Sequence, residues 1–337
     1  MEKTGYERYG LSGNPFRDLS SENLEDVEIF HVSQDIDKDI ASIRDEALEK
    51  ENKAVIALMG GLGAGKTERL LLLKKEALKR DAFCAMGGVT TETQFMIRGI
   101  MESILENVKE MGKSSFISPK WLRAVQKVNK RLLREYDPES AGHAIAEALN
   151  ENVPAFLLIN DLHRLPEKED MEQFLQTLYV ITNEIQPGVL IVLSGDERYF
   201  RGIMYGHPTL NERINRKLVI PPLSNQEASL MIAKRLLAKR LVDDMDALYP
   251  FTPEAIAALN TAAKGNPRML LKFADHLLDN AVKGRVVQID DDIVKVMFEQ
   301  KEAVQLLYDS GHDVAVDSYG VQSPPTLASQ ALESQKR

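Results

Sequence analysis

The chain has 337 residues, of which 44% are hydrophobic and 28% charged, a composition typical of a globular protein large enough for two domains. Its formal net charge of −9 argues against a protein that binds nucleic acid through an overall basic surface. No apolar run approaches the roughly 20 residues needed to span a membrane, and the N-terminus lacks the apolar core of a signal peptide. The single cysteine, Cys84, cannot form an internal disulfide, so we expect a cytoplasmic protein without membrane insertion.

The first 53 residues precede the first predicted strand, and we expect them to form a linker and one helix. Isoleucines at helical spacing predict that helix over residues 35–50. Further upstream, Asn14-Pro15-Phe16 is a turn-like apolar tripeptide within a polar stretch. Two interpretations stay open: Pro15 and Phe16 contact an adenine ring, or Phe16 fills the base of the domain.

A short apolar run and a glycine-rich loop follow each other over residues 54–67. The run from Ala54 to Met59 is typical of a buried parallel strand. The next residues fit the phosphate-loop pattern G-x-x-x-x-G-K-[ST]; they are Gly60, Gly61, Leu62, Gly63, Ala64, Gly65, Lys66 and Thr67. The glycines let backbone N–H groups approach phosphate oxygens, and the helix that begins near Gly65 directs its positive N-terminus at the same anion. The order of strand, loop and helix predicts ATP and Mg²⁺ as ligands, with Lys66 on the β- and γ-phosphates and Thr67 on the metal.

The segment between Lys113 and Tyr136 has an unusual charge, with seven basic residues and one acidic residue. Six of the basic residues fall within an arc of about 100° on a helix of 3.6 residues per turn; they are Lys120, Arg123, Lys127, Lys130, Arg131 and Arg134. Apolar residues, among them Trp121 and Val125, lie on the other side. This basic face is either a solvated helix surface or a contact for the phosphate backbone of DNA.

Further strands and helices alternate along the chain. Residues 82–86, 155–159, 189–193 and 216–221 are predicted strands, with helices over residues 93–109 and 168–184 and another that starts at Pro138. This alternation predicts a parallel sheet that binds ligands at the carboxyl ends of its strands. From Ser224 onward the pattern is helical only, which predicts a small helical domain over residues 224–300, and residues 301–337 have the composition of a disordered tail.

The strand predicted over residues 155–159 ends in Asn160-Asp161. ATPases with a phosphate loop need a carboxylate at such a strand end to hold the water shell of Mg²⁺, and hydrolytic members use a second one to polarise the attacking water. At this point the chain resembles the AAA+ ATPases, in particular the branch that contains the secretion ATPase ExeA, transposon target-selection ATPases of the TniB type and archaeal origin-recognition initiators. That branch reads Asp-Glu at this strand end, followed by Ala-His/Gln-x-Leu. With His163 and Leu165 setting the register, Asn160 takes the Asp place and Asp161 the Glu place; in the alternative register Asp161 takes the Asp place and Leu162 the Glu place.

Other positions between about residues 10 and 300 match the same branch. Asn14-Pro15-Phe16 resembles its N-terminal tripeptide, and Ser194 falls at the first sensor. Arg213 and Arg216 lie in a stretch similar to the one that carries the arginine finger, and residues 265–268, Gly-Asn-Pro-Arg, resemble the second-sensor motif of the lid. The resemblance therefore implies that Arg268 reaches the γ-phosphate from the lid. It also implies that Arg213 acts across a subunit interface, so that the partners are further copies or other AAA+ subunits.

We therefore expect an α/β phosphate-loop NTPase of the AAA+ type, with a five-stranded parallel sheet over residues 54–223 and an all-helical lid. The predicted function is MgATP binding with slow hydrolysis as an assembly or remodelling switch. Asp161 is the candidate for polarising water and, with Thr67, for supporting the metal, while Asn160 and Ser194 complete the nucleotide site. Two alternatives stay open: a DNA-associated ATPase of transposition or replication-initiator type, and a nucleotide-binding regulator that hardly hydrolyses. The absence of residues for a winged-helix domain after the lid disfavours a stand-alone origin binder.

Overall fold

The structure, a computed structural model, describes residues 5–17, 26–88, 93–110, 119–132, 134–162, 168–242 and 244–299. The predicted tail over residues 301–337 lies outside these residues, as do Lys113, His163 and Leu165. In the described ranges no helix is long and apolar enough to cross a membrane. A cytoplasmic location stays a prediction.

Strands and helices alternate through the first two thirds of the described chain, and helices alone make up the rest. The strands are β1 (Ala54–Met59), β2 (Phe83–Gly88), β3 (Ala155–Asn160), β4 (Val189–Gly195) and β5 (Arg216–Val219). The helices before β4 are α1 (Val27–Phe30), α2 (Asp35–Leu48), α3 (Lys66–Lys79), α4 (Thr93–Glu110), α5 (Lys120–Arg131), α6 (Pro138–Asn150) and α7 (Lys168–Glu184). Those after β4 are α8 (Glu197–Gly206), α9 (Pro208–Arg213), α10 (Asn225–Leu237), α11 (Pro253–Ala262), α12 (Pro267–Gly284) and α13 (Asp291–Glu299).

The five strands form one parallel sheet in the order β2-β3-β4-β1-β5. The three central strands are continuous apolar runs, because each is covered by helices on both faces. The carboxyl ends of β1, β3 and β4 therefore meet at one edge of the sheet, where the glycine-rich loop begins at Gly60. This is the predicted fold class.

The two faces of the sheet pack against different helices. Alternate residues of β1, starting at Val55, join a buried cluster with α4 to α7, while those starting at Ala54 join a second cluster with α2 and α3. This alternation follows from the two-residue repeat of a strand. Five of the six residues of the basic face lie on α5, and Arg134 follows its end, because the helix stops at Arg131. The opposite side of α5 contributes Trp121 and Val125 to the first cluster.

The helices from α10 to α13 enclose a third buried cluster, and the N-terminal segment joins it. Tyr9, Leu11 and Phe16 pack among the helix residues, although the sequence suggested a separate linker. The cause is a contact over a long distance in sequence, since the Phe16 and Phe251 rings meet edge to face with centroids 5.9 Å apart. We call helices α10 to α13 together with residues 5–17 the lid.

Candidate functional site

The glycine-rich loop after β1 has a backbone that other residues would not adopt easily. Gly63 and Gly65 have φ values of 79° and 89°, in the left-handed region. A Cβ atom at Gly63 would lie 2.6 Å from the Cβ of Arg268 and 3.0 Å from Oδ1 of Asn266. The loop therefore needs glycine both for its conformation and for its close approach to the lid. Helix α3 begins directly after Gly65, so its N-terminal N–H groups point into the loop.

Lys66 is held inside the loop. Its side chain is 5% exposed, and Nζ donates to the carbonyl oxygens of Gly60 and Gly61, each at 2.8 Å. Burial lowers the pKa of Lys66, while the charges of Asp161 and Asp196 oppose that change. An ammonium held by two neutral carbonyl groups can exchange them for an anion, as a phosphate-binding lysine must.

Thr67, Asn160 and Ser194 form a hydrogen-bonded group at the carboxyl ends of β3 and β4. The Asn160 amide nitrogen donates to Thr67 Oγ1 at 3.1 Å, and Thr67 Oγ1 lies 3.4 Å from the amide oxygen. Ser194, which is fully buried, donates from Oγ to the same amide oxygen at 2.7 Å. Ser194 thus orients Asn160, and Asn160 contacts the hydroxyl that the sequence assigns to the metal.

Asp161 follows Asn160 with a left-handed φ of 56°, which turns the chain away from the strand. Its backbone N–H donates to Ser194 Oγ at 3.3 Å. Leu162 is 1% exposed and belongs to the core, so it cannot face a nucleotide. With Asn160 beside Thr67, this geometry favours the register in which Asn160 takes the place of the metal-supporting Asp.

The lid contacts the loop through the start of α12. Asn266 donates from Nδ2 to the Leu62 carbonyl oxygen at 2.8 Å, and its Oδ1 accepts from the N–H of Met269 at 3.1 Å, which caps the helix. Gly265, with φ of 69°, accepts from the N–H of Leu223 at 2.8 Å, at the connection between sheet and lid. This arrangement brings Arg268, an exposed side chain on the first turn of α12, to the loop.

A cleft of about 120 Å³ lies between the loop and the lid. Loop residues, a strand-end carboxylate and lid residues line it together, including Lys66, Thr67, Asp161 and Arg268. The cleft is also lined by Phe30, Met231, Arg235 and Leu271. In the described ranges no group of three or more histidine, cysteine and acidic side chains could hold a metal ion. The Thr67 hydroxyl and the Asp161 carboxylate nevertheless offer oxygen atoms, which Mg²⁺ prefers.

The aromatic residue at the cleft is Phe30 rather than Phe16. The Arg235 guanidinium lies over the Phe30 ring, 4.1 Å from its centroid. Phe16 is fully buried in the lid, and Asn14 donates from Nδ2 to Asp275 and Asp279 of α12, each at 2.8 Å. Of the two interpretations of the tripeptide, the structure therefore matches the packing role. The sequence offered no local signal for Phe30, since α1 has only four residues.

His31 links the segment before α2 to the helix that follows the loop. Its Nδ1 lies 2.7 Å from Oε1 of Glu68, and its Nε2 lies 3.2 Å from Oδ2 of Asp37. Lys234 of the lid donates to the His31 carbonyl oxygen. Burial opposes the charged ring, but hydrogen bonds to Asp37 and Glu68 and the charges of these carboxylates together raise the pKa of His31. Sheet and lid are therefore also connected through this histidine.

The two arginines of the predicted finger stretch lie away from the cleft. Asn215, between them, accepts from the N–H of Val55 through Oδ1 at 2.7 Å, and Arg216 pairs with Ile56 in the sheet. Both contacts are near the start of β1, whereas the loop follows its end. Arg213 and the cleft are therefore at opposite ends of the sheet.

All six side chains of the basic face are exposed. None of them takes part in an ion pair within the part of the chain that the structure describes. The opposite, apolar side of α5 is buried as predicted, at Trp121, Leu122 and Val125.

Known proteins resemble the chain in sequence and in fold. Residues 49–204 match the family described as AAA domain. An uncharacterized HTH-type transcriptional regulator of Methanocaldococcus jannaschii is 24% identical over 253 residues, 71% of this chain and 61% of the relative, so the chain spans about three fifths of that relative's length. The ORC1 protein of Aeropyrum pernix, in complex with DNA, has a TM-score of 0.52 at 14% identity, over 90% of this chain and 69% of that one. The ORC2 protein of A. pernix, in ADPNP–ADP complexes, has a TM-score of 0.50 at 12% identity, over 91% of this chain and 88% of that one. The family match confirms the resemblance to AAA+ ATPases, and the two structures show the same fold.

Proposed function

Because the chain carries an AAA domain in an AAA+ fold, we propose that it binds MgATP in the cleft, hydrolyses it slowly and uses it as an assembly or remodelling switch. The observation that carries this proposal is the convergence of Lys66, Thr67, Asp161 and Arg268 on one cleft, although they come from three separate parts of the chain. A glycine turn with no ligand would not need a buried lysine, a strand-end carboxylate and a lid arginine at the same place.

Each of these residues has a role that follows from its position. The N–H groups of the loop and of the first turn of α3 bind the phosphates, and Lys66 adds a positive charge to the β- and γ-phosphates. Thr67 and Asp161 provide oxygen atoms for Mg²⁺ and its waters, and a bound Mg²⁺ would neutralise charge on the phosphates. Asp161 also polarises the attacking water, and Arg268 contacts the γ-phosphate.

The size of the cleft explains how nucleotide could act as a switch. Small-molecule sites usually enclose roughly 300–1,000 Å³, whereas this cleft measures about 120 Å³ with Asn266 bonded to the loop. We therefore propose that the lid moves away from Leu62 when a nucleotide enters. Since Arg268 belongs to the lid, its contact with the γ-phosphate would distinguish ATP from ADP by the position of the lid.

Assembly is the testable part of the switch. Arg213 lies at the opposite end of the sheet from its own cleft, so it can contact a nucleotide only in a neighbouring subunit. Light scattering with a non-hydrolysable ATP analogue should therefore show a rise in mass. A protein that stays monomeric at high concentration with the analogue bound would rule out this role for Arg213.

DNA association is the second candidate function, and the basic face favours it, since it is exposed and makes no ion pair with any residue that the structure describes. Contacts between this face and DNA phosphates would be independent of sequence and steeply dependent on salt, with a slope of about −0.9 per contact. Reversal of Lys127, Lys130 and Arg131 to Glu should abolish binding of duplex DNA, measured by fluorescence anisotropy with ATP present, and leave ATP binding intact.

A matched variant separates this contact from general charge. Arg198, Lys239 and Lys283 are exposed basic residues on other helices or connections, and their reversal to Glu changes the net charge by the same amount. This control should bind DNA nearly as well as the wild type. If the wild type binds no DNA at low salt, or the control loses binding equally, the basic face is a solvated surface only.

A further inference from the structure

Arg213 is held by an aromatic ring. It is the last residue of α9, and its guanidinium carbon lies over the ring of Tyr179 on α7, 5.1 Å from the ring centroid. Tyr179 is 38% exposed, so the pair lies at the surface. Nε of Arg213 is buried and has no hydrogen-bond partner among the described residues. The ring contact is therefore what fixes the direction of this side chain.

The type of contact matters for what Arg213 can still bind. A carboxylate partner would accept hydrogen bonds from the guanidinium N–H groups, which lie in the plane of the group. An aromatic ring instead attracts the cation through its face and leaves the in-plane donors of the two terminal nitrogens available for an anion, although Nε of Arg213 is buried. A side chain held in this way is restricted in its rotamers and still competent to bind phosphate.

The position of the Arg213–Tyr179 pair excludes a contact between Arg213 and the cleft of the same chain. Asn215, two residues after Arg213, contacts Val55, and the loop starts five residues further along β1, at Gly60. At about 3.3 Å per residue this separation is about 17 Å, which is longer than an arginine side chain. Arg213, which is partly exposed, consequently lies at the end of the sheet opposite its own Lys66.

We propose that Tyr179 is a positioning residue, which holds the Arg213 guanidinium ready for the γ-phosphate in the cleft of a neighbouring copy of this chain. This inference rests on the proposed function, because it requires Arg213 to act between subunits. Tyr179 itself touches no nucleotide. Its contribution is to orient Arg213 before the subunits meet.

A complementation experiment tests the inference with two kinds of full-length subunit. Acceptor subunits carry Arg213→Ala and keep Lys66, so they bind ATP but lack the arginine. Donor subunits carry Lys66→Ala and keep Arg213. Single-turnover hydrolysis of ATP is measured in acceptors alone and in mixtures with three donors, which have Tyr179, Tyr179→Phe or Tyr179→Leu.

The Tyr179 and Tyr179→Phe donors should stimulate the acceptor equally, since both present a ring face. The Tyr179→Leu donor should stimulate it less by between about twofold and about thirtyfold, the range expected for a cation–π contact. Light scattering should show equal assembly with all three donors, and thermal unfolding should show that all are folded, which excludes a general structural effect.

Three results would overturn the inference, and they can be told apart. Equal stimulation by the Tyr179→Leu donor shows that Arg213 needs no ring. Loss of stimulation with Tyr179→Phe shows that the hydroxyl, rather than the ring face, matters. If no donor stimulates the acceptor, Arg213 does not act between subunits, and the role proposed for it fails together with the inference.

Discussion

Replacing Asn160 by Asp should raise the rate of ATP hydrolysis. In the structure the Asn160 amide nitrogen donates to Thr67 Oγ1 at 3.1 Å, so a lone pair of the hydroxyl is engaged with Asn160 instead of facing a metal. A carboxylate of the same shape would accept from the Thr67 hydroxyl and from Ser194 Oγ, now 2.7 Å from the amide oxygen. The Thr67 oxygen would then be available to Mg²⁺, and the metal would gain a nearby negative charge.

The size of the effect follows from the hydrogen bonds that two waters of a bound Mg²⁺ would donate to the carboxylate instead of the amide, since the bonds to Thr67 and Ser194 are present in the ground state and the transition state alike. A hydrogen bond to a charged group contributes about 1.5–3 kcal/mol, and one between neutral groups about 0.5–1.5 kcal/mol. One strengthened bond expressed in the transition state corresponds to roughly a tenfold increase in rate, and two correspond to roughly a hundredfold. The wild type should start far below the ~1 s⁻¹ of slow ordinary enzymes, because Asn160 lacks the charge and Asp161 must polarise water with a side chain shorter than glutamate.

Steady-state ATPase assays on purified protein measure both the rate of the wild type and the increase expected for Asn160→Asp. Asn160→Asp combined with Lys66→Ala should show no increase, since the phosphates would no longer be held. Asp161→Asn should lower the wild-type rate, which tests whether the Asp161 carboxylate takes part in hydrolysis in either register. A wild-type rate in the ordinary range, or an Asn160→Asp variant slower than the wild type, would contradict the role given to Asn160 at this strand end. If both proteins bind ATP and neither hydrolyses it, the chain is better described as a nucleotide-binding regulator that hardly hydrolyses.

Two further predictions concern stability. Burial alone lowers the pKa of His31, but its hydrogen bonds to Asp37 and Glu68 and their charges raise it overall. The stabilisation that His31 contributes is therefore complete below its unfolded pKa of about 6.5 and is lost as the pH rises through the folded pKa. Urea denaturation should accordingly show that the difference in free energy of unfolding between the wild type and His31→Gln shrinks with rising pH. A difference that grows with rising pH would contradict this reasoning. Gly265 has a φ of 69°, and a Cβ there would lie 2.5 Å from a proline side chain, so Gly265→Ala should lower the free energy of unfolding by about 2–4 kcal/mol. Gly284→Ala, with 3.7 Å to its nearest neighbour, should change it by less than about 0.5 kcal/mol, and equal effects would refute the argument.

The sheet and the loop could be predicted from the sequence because their signals are local. An apolar run followed by a glycine pattern and a helical repeat specifies β1, the loop and α3 within 26 residues, from Ala54 to Lys79. The helix at Pro138 was predictable for the same reason, since proline suits the first position and Asp137 caps it. The short helices α1 and α9 were missed, because four and six residues are too few to show a helical period.

The features that complete the site depend on contacts between residues far apart in the chain. Phe16 lies in the lid because it meets Phe251, and no local pattern distinguishes that contact from one with a nucleotide. Phe30 reaches the cleft through its contact with Arg235. The sequence alone identifies Asn160 as the residue in place of the expected Asp at the strand end. Its hydrogen bonds to Thr67 and Ser194 could not be predicted, because they depend on how the neighbouring strands pair.

Isothermal titration calorimetry of MgATP tests the central claim, that the cleft binds nucleotide through Lys66. The wild type should bind MgATP, and Lys66→Ala should weaken binding at least tenfold, about 1.4 kcal/mol, because it removes the charge that faces the phosphates. Lys79→Ala is the matched control: it removes a lysine from the same helix, where Lys79 is exposed and paired with Glu28 and Glu76, and it should bind as the wild type does. Equal affinities of the wild type and Lys66→Ala, or no binding by the wild type, would contradict the assignment of the site.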